Sequence, residues 1–402
     1  MRNKKQYVIT ERAHFMCPNM YFGIKAKILA EFNYQDVRFT IEMLTKAHPF
    51  LKSLITEEGT TGKLFYNLDS ELQIPIFEKN TRNSWDDDYK NITKNGWNIF
   101  RESLLKVIVY PEIEGFNIIF IAHHLLGDGR SILNLMCEFA DCYSSRNVPK
   151  HVDEHLIQSV DDLPKGSDLS WISKIIVNKV NCDWQKENKI VGYSEYYNFE
   201  KDFIQKNPIS FEIETAQDDK VEDLLNICRK RGISLNDYLV AEMMIKEKTN
   251  RVVIAVDIRD ELICYSRGAL GNYATAISVK NSFKTNNVIH KGRKVSKQIK
   301  KKLKNTRKKM LILTCYLQID SKLIDAAAIS TMGDFNSRTG KFLGSAILGY
   351  KKRRGYSVTN LGNTINPNIE EMVFIPPASP ANIKTMGVVS VNNRLTKCTV
   401  TY

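Results

Sequence analysis

The 402-residue sequence predicts an α/β (α+β) protein built as two lobes of similar size. Three observations carry this. The chain is longer than the roughly 100–200 residues of one typical domain. Hydrophobic residues make up 43% and charged residues 26%, which supplies a sizeable core, so disorder is not the expectation. Helical and strand-like patterns are interleaved in both halves.

In the first half, Val37, Ile41, Leu44 and Ala47 follow Tyr34-Gln35-Asp36 at helical spacing. His48-Pro49 ends that helix, because the residue before proline is pushed out of the helical region. Two apolar runs, 104–110 and 116–122, flank Pro111-Glu112-Ile113-Glu114-Gly115 and read as a β-hairpin. The second run leads straight into His123-His124-Leu125-Leu126-Gly127-Asp128-Gly129. Asp128 is then placed to cap a helix with Ile132, Leu135, Met136, Phe139 and Ala140 on one face.

Residues 160–207 are mixed and polar with weak periodicity, and read as a crossover between lobes. Beyond them come an alternating strand over 210–215 and a helix over 220–229 closed by Gly232. Ser234-Leu235-Asn236-Asp237 caps another helix that reaches Met244. Val252-Val253-Ile254-Ala255-Val256 is apolar throughout, the pattern of a strand buried on both faces, and it ends at Asp257-Ile258-Arg259. Residues 372–375 and 395–402 close the chain as strands. The lobes are assigned to 1–165 and 208–402, with 166–207 crossing between them.

Charge and cysteine content narrow the function classes. The net charge of +13 favours acidic partners, and the excess is uneven: 291–309 carries eleven Lys or Arg and no acid. Val295, Ile299 and Leu303 give that stretch a narrow apolar seam, so it reads as a basic surface helix. It holds no aromatic residue for base stacking and no reader motif, which speaks against nucleic acid. Eight scattered cysteines without a C-x-x-C pair read as small buried hydrophobes of a reducing cytoplasm, not as a zinc site. No apolar run reaches the roughly 18 residues of a membrane span. Met1-Arg2-Asn3-Lys4-Lys5 is followed by no apolar signal core, so a cytoplasmic protein is expected.

The two adjacent histidines are the chemical signal. Side chains alternate along a strand, so His123 and His124 point to opposite faces and are poorly placed to share one metal. One neutral imidazole facing a cavity suits general base work, since its ordinary pKa of about 6.5 lies near working pH. Gly127 and Gly129 are expected to let the backbone approach a substrate, and the N–H groups opening the next helix to hold an oxyanion. Asp128 has two readings, a helix cap or half of a buried ion pair, for which Arg259 is the candidate partner. His14, His151, His155 and His290 have no motif context and are given no role.

His123-His124-x-x-x-Asp128-Gly129 resembles the HHxxxDG signature of the CoA-dependent acyltransferase superfamily, which includes chloramphenicol acetyltransferase and condensation domains. Further landmarks fall in family order. Ala47-His48-Pro49-Phe50-Leu51 resembles the HP-x-L helix end, and Ser234-Leu235-Asn236-Asp237-Tyr238-Leu239 the second-lobe helix start. Val256-Asp257-Ile258-Arg259, Leu270-Gly271-Asn272-Tyr273 and Val358-Thr359-Asn360-Leu361-Gly362 resemble three more segments, and Asn392-Asn393-Arg394-Leu395 the closing hairpin.

The resemblance implies a chloramphenicol acetyltransferase-like, V-shaped fold with a tunnel between the lobes. It implies that His124 is catalytic, that His123, Asp128, Gly129 and Arg259 are supporting, and that Thr359 and Asn360 contact substrate. Thr359 departs from the Ser of many stand-alone members. No bound cofactor is implied. The co-substrate is an acyl-CoA or acyl-carrier-protein thioester, and the acceptor a small alcohol or amine. The basic run becomes a candidate docking face for CoA phosphates or an acidic carrier protein. The chain holds one catalytic unit, so the donor is expected in trans and the protein as a monomer. A non-catalytic binding relative and a thioester hydrolase or cyclase are the alternatives.

Overall fold

The computed structural model describes residues 5–59, 62–68, 70–79, 84–281, 285–352 and 354–402. Most of the basic N-terminal stretch, residues 1–4, lies outside them. The first half contributes β1 (Tyr21–Ile28), β2 (Leu54–Glu58), β3 (Lys63–Asn67), β4 (Ile76–Glu78), β5 (Leu105–Pro111) and β6 (Phe116–His123). The second contributes β7 (Ser210–Ala216), β8 (Arg251–Asp257), β9 (Ala274–Lys280), β10 (Gly355–Thr364), β11 (Ile369–Ile375), β12 (Asn382–Val391) and β13 (Arg394–Thr401).

The expected hairpin is β5–β6, paired antiparallel from Leu105↔Ala122 to Pro111↔Phe116. It sits inside a five-stranded sheet of order β11-β1-β6-β5-β4. Every residue of β6 is buried, which is why its sequence is an almost unbroken apolar run. The helix Gly129–Ser145 turns Ile132, Leu135, Met136, Phe139 and Ala140 inward, and Phe139 meets Phe120 of β6 edge-on at 5.6 Å. Each of the larger of these fully buried side chains contributes about 1.5–3 kcal/mol. The second sheet has the order β7-β13-β12-β10-β8-β9, and β2–β3 form a separate ribbon. Notably, β11 leaves the second half of the chain to pair with β1, Gly23↔Ile375 through Ile28↔Ile369.

Two sequence expectations are revised. The 160–207 stretch, weakly periodic in sequence, holds the helices Trp171–Glu187 and Tyr193–Lys206. Its periodicity is weak because Trp171, Ile172, Ile175 and Ile176 lie on the solvent side, opposite the buried Val177, Val180 and Trp184. The second revision concerns β8, which is not buried on both faces. Val252 and Ile254 are buried, while Val253 and Val256 are half-buried and Ala255 is exposed. The more open face borders a cavity that an apolar run does not reveal.

His48 explains the HP-x-L landmark. Its Nδ1 donates to Glu154 Oε1 at 3.0 Å and its Nε2 to Glu138 Oε2 at 2.7 Å. Glu154 also accepts from Phe50 N at 2.8 Å and from Leu270 N at 3.0 Å, so it ties the helix end to the segment before Asn272. Burial alone would lower the His48 pKa, but the two carboxylates reverse this and raise it from 6.5 to about 9. Stability from this pairing is therefore complete below pH 6.5 and lost as pH rises through about 9. Between pH 6.5 and 9.5, wild-type protein should lose roughly 2–3 kcal/mol more stability in urea melts than His48→Gln. Parallel loss in both proteins would show that His48 is not the titrating group.

Candidate active site

The His-His turn begins where β6 ends. His123, paired with Tyr21 across β1–β6, points into the core. It is 3% exposed, with Tyr21 and Trp97 edge-on at 5.4 and 6.1 Å. Its Nδ1 accepts from Leu125 N at 3.1 Å. Burial, and then the charges of His124 and Lys106, push its pKa down to about 3, so it stays neutral.

His124 points the other way, into a cavity of about 310 Å³ between the two sheets. Asp128, Gly129 and Arg130 line this cavity from the helix start, Asp257 from β8, and Thr359 and Asn360 from β10. The six predicted site residues other than His123 therefore all border it, counting Arg259.

The hydrogen bonds settle which His124 nitrogen carries the proton. Asn272 Nδ2 donates to the His124 carbonyl at 2.8 Å, which orients the amide. Asn272 Oδ1 then lies 2.8 Å from His124 Nδ1 and can only accept, so Nδ1 bears the hydrogen. Nε2 keeps its lone pair. Burial lowers the His124 pKa, partly offset by the Asp128 charge and the Asn272 bond, so the ring is neutral at pH 7.

A second ring was not foreseen. His14, from the short helix Arg12–Phe15, stacks on His124 with centroids 4.0 Å apart and planes 13° apart. That helix is anchored by Arg12, whose Nε donates to Asp325 Oδ1 at 2.7 Å in a buried pair. Burial, with the charges of His124 and His123, holds His14 well below its ordinary pKa. Its Nδ1 is buried without a hydrogen-bond partner. The stack confines the His124 ring plane. Nothing in the sequence links positions 14 and 124. Asn272 had a signal, its place in Leu270-Gly271-Asn272-Tyr273, but that segment alone assigns it no partner.

Asp128 is both a cap and an ion-pair partner. Its Oδ1 accepts from Ser131 N at 3.0 Å and from Arg259 Nη2, and its Oδ2 accepts from Tyr273 N at 2.9 Å. Arg259 also donates to Ser131 Oγ at 2.9 Å and to Asp257 Oδ1 at 2.8 Å. Burial would raise the Asp128 pKa, but the Arg259 charge and the two N–H donors hold it below the usual carboxylate range.

The glycines also have a packing role. A Cβ on Gly127 would lie 3.0 Å from Gly271 N, and one on Gly129 3.0 Å from Leu361 and Phe374 side-chain carbons. Both leave room for close packing of protein against protein, and Gly129 also lines the cavity. Gly271 itself has φ +151° and hydrogen-bonds Asp128 N through its carbonyl at 3.1 Å. Ser131 N and Asp128 N are thus occupied, leaving Gly129 and Arg130 as the helix-start N–H groups beside the cavity.

Of the basic run, Lys291, Lys302 and Lys309 are folded inward onto Asn281 Oδ1, the Ser278 carbonyl and Glu261. Lys297, Lys300 and Lys301 are exposed. Among the described residues, no group of three His, Cys, Asp or Glu is placed to hold a metal ion, and no helix is long and apolar enough to cross a membrane.

With His124 acting as a general base, Asn272→Ala should lower kcat/KM about 10–100-fold, mostly in kcat, because the ring loses its tautomer lock. Asn272→Asp keeps an acceptor and adds a charge, so it should retain activity while moving the acid limb of the pH profile upward. Unchanged kinetics in both variants would remove Asn272 from the site.

No family model and no curated protein matches the chain. Solved structures do. A trichothecene 15-O-acetyltransferase, TRI3 of Fusarium sporotrichioides, aligns with TM-score 0.62 and 12% identity over 99% of this chain and 90% of its own. Polyketide synthase associated protein 5 of Mycobacterium tuberculosis aligns with TM-score 0.60 and 12% identity over 99% and 92%. The epimerization domain from the third module of tyrocidine synthetase B gives 0.58 and 15% over 97% and 87%. The chain thus shares the mixed α/β fold of these acetyltransferase, polyketide-associated and epimerization-domain structures.

Proposed function

We propose, on the premise of that fold, that the protein moves an acyl group from a CoA or carrier-protein thioester to the hydroxyl or amine of a small acceptor, with His124 as general base. The observation that carries this is the His124–Asn272 bond, which leaves Nε2 unprotonated on a buried, neutral imidazole that lines the cavity.

In this reading Nε2 takes the acceptor proton as its oxygen or nitrogen attacks the thioester carbonyl. The new C–O or C–N bond forms and the carbonyl oxygen becomes an oxyanion. The Thr359 hydroxyl and the Gly129 N–H are the donors we assign to it, since both residues line the cavity. The C–S bond then breaks, and the proton on Nε2 passes to the departing thiolate. Asn360 borders the same space and is assigned to substrate contact. Where the donor is an acidic carrier protein, the exposed Lys297, Lys300 and Lys301 form the face we assign to it.

The test is free-thiol release from a panel of acyl-CoAs, with and without added alcohols and amines. Release that requires an acceptor and fails in His124→Ala is the expected result. Release independent of any acceptor would indicate a hydrolase. Release that His124→Ala leaves intact would defeat the proposal.

A further inference from the structure

Among the described residues, none covers the apolar outer face of the helix Trp171–Glu187. Its inner side is well anchored. Val177, Val180 and Trp184 are buried, and Asn181 donates to the Gln318 carbonyl at 2.9 Å and accepts from Asp320 N at 2.9 Å. Its outer side begins with Trp171 at 72% exposure, Ile172 at 54%, Ile175 at 56% and Ile176 at 44%. The spacing i, i+1, i+4, i+5 puts all four on one stripe. Exposed Lys174 lies beside them.

A second helix is tied to the segment that leads into this one. Thr314 Oγ1 donates to the Ser167 carbonyl at 2.8 Å, which ties the helix Thr306–Tyr316 to the segment just before Trp171. That helix exposes Leu311 and Ile312, and the exposed Lys304, Arg307 and Lys308 precede them. Large apolar side chains and cations therefore share neighbouring helices, in a chain whose net charge is +13.

We propose that this face seats the protein on an anionic lipid bilayer surface, with Trp171 and the isoleucines at the headgroup boundary and the cations over the acidic headgroups. An indole and branched aliphatic side chains fronted by Lys and Arg are the combination that an acidic membrane interface favours. A second copy of the chain fits poorly. Six apolar side chains fall short of the about 20–30 residues per side that a stable interface uses, and the cations would meet their own kind. Peripheral seating of this kind needs no spanning helix.

The experiment is sedimentation of the full-length protein with vesicles of phosphatidylcholine alone or with about 30% phosphatidylserine, at about 0.1 M and 0.5 M salt. Trp97 and Trp184 are buried and Trp85 stacks on Phe211, so Trp171 dominates any change in tryptophan emission on binding. The expected result is binding at least about tenfold stronger to the acidic vesicles, weakened by salt, with a blue-shifted emission. Ile175→Glu/Ile176→Glu should abolish it, and Lys304→Glu/Arg307→Glu/Lys308→Glu should remove the preference for acidic lipid. All five positions are exposed, so thermal melts should match wild type. Absent binding, unshifted emission, or binding that Ile175→Glu/Ile176→Glu retains would overturn the proposal. So would a dimer, seen by light scattering, that this variant dissociates.

Discussion

His124→Ala should lower kcat/KM for acyl transfer by about 10²–10⁴, the range for loss of a positioned general base, and most of the loss should fall on kcat. Among the described residues Asn272 is the ring's side-chain hydrogen-bond partner, so the variant should fold normally. The pH dependence is a second reading of the same residue. A base works unprotonated, and burial pushes the His124 pKa below its ordinary 6.5. Wild-type kcat/KM should therefore stay level from alkaline pH down to about 6.5 and fall only below it. A limb centred above 6.5 would mean that another group titrates, or that substrate binding recharges the site. His14→Phe keeps an aromatic stack on His124 without a titratable partner, and separates these two cases.

Breaking the Asp128–Arg259 pair should cost the most stability. Both side chains are almost fully buried, at 8% and 6% side-chain exposure. Arg259→Met removes the cation and leaves the Asp128 carboxylate with two N–H donors but no opposite charge, which costs about 3–5 kcal/mol. Asp128→Asn strands the guanidinium less severely, since Asp257 still accepts from it. Asp128→Asn/Arg259→Met removes both charges and should be more stable than Arg259→Met alone, because the uncompensated carboxylate is gone. Urea unfolding of the cycle tests this. Purely additive effects would mean that the contact is not energetically coupled.

The reach of sequence reasoning here follows the distance over which each feature acts. The β5–β6 hairpin, the cap at Asp128 and the opposite facing of His123 and His124 are local. They follow from alternation, turn residues and capping chemistry within a few positions. The link from Asp128 to Arg259 spans 131 residues, yet both ends were marked, one in the His-His turn and one at the end of an apolar run. A buried carboxylate demands a cation, so the pairing could be anticipated. At Gly127 size alone does not say whether a ligand or another backbone comes close, and the structure places Gly271 there.

What the sequence by itself determined is the two-lobed α/β pattern, the strand that delivers His124 and the residue types beside it. These rest on periodicity and short-range chemistry. Only the tertiary structure decided which nitrogen of His124 is free, because Asn272 lies 148 residues away. The same holds for the His14 stack, the Glu154 tie between His48 and Leu270, the crossing of β11 into the first sheet, and the open face of β8. Each of these is a contact between segments far apart in the chain, set by how the lobes pack, and no local pattern encodes it.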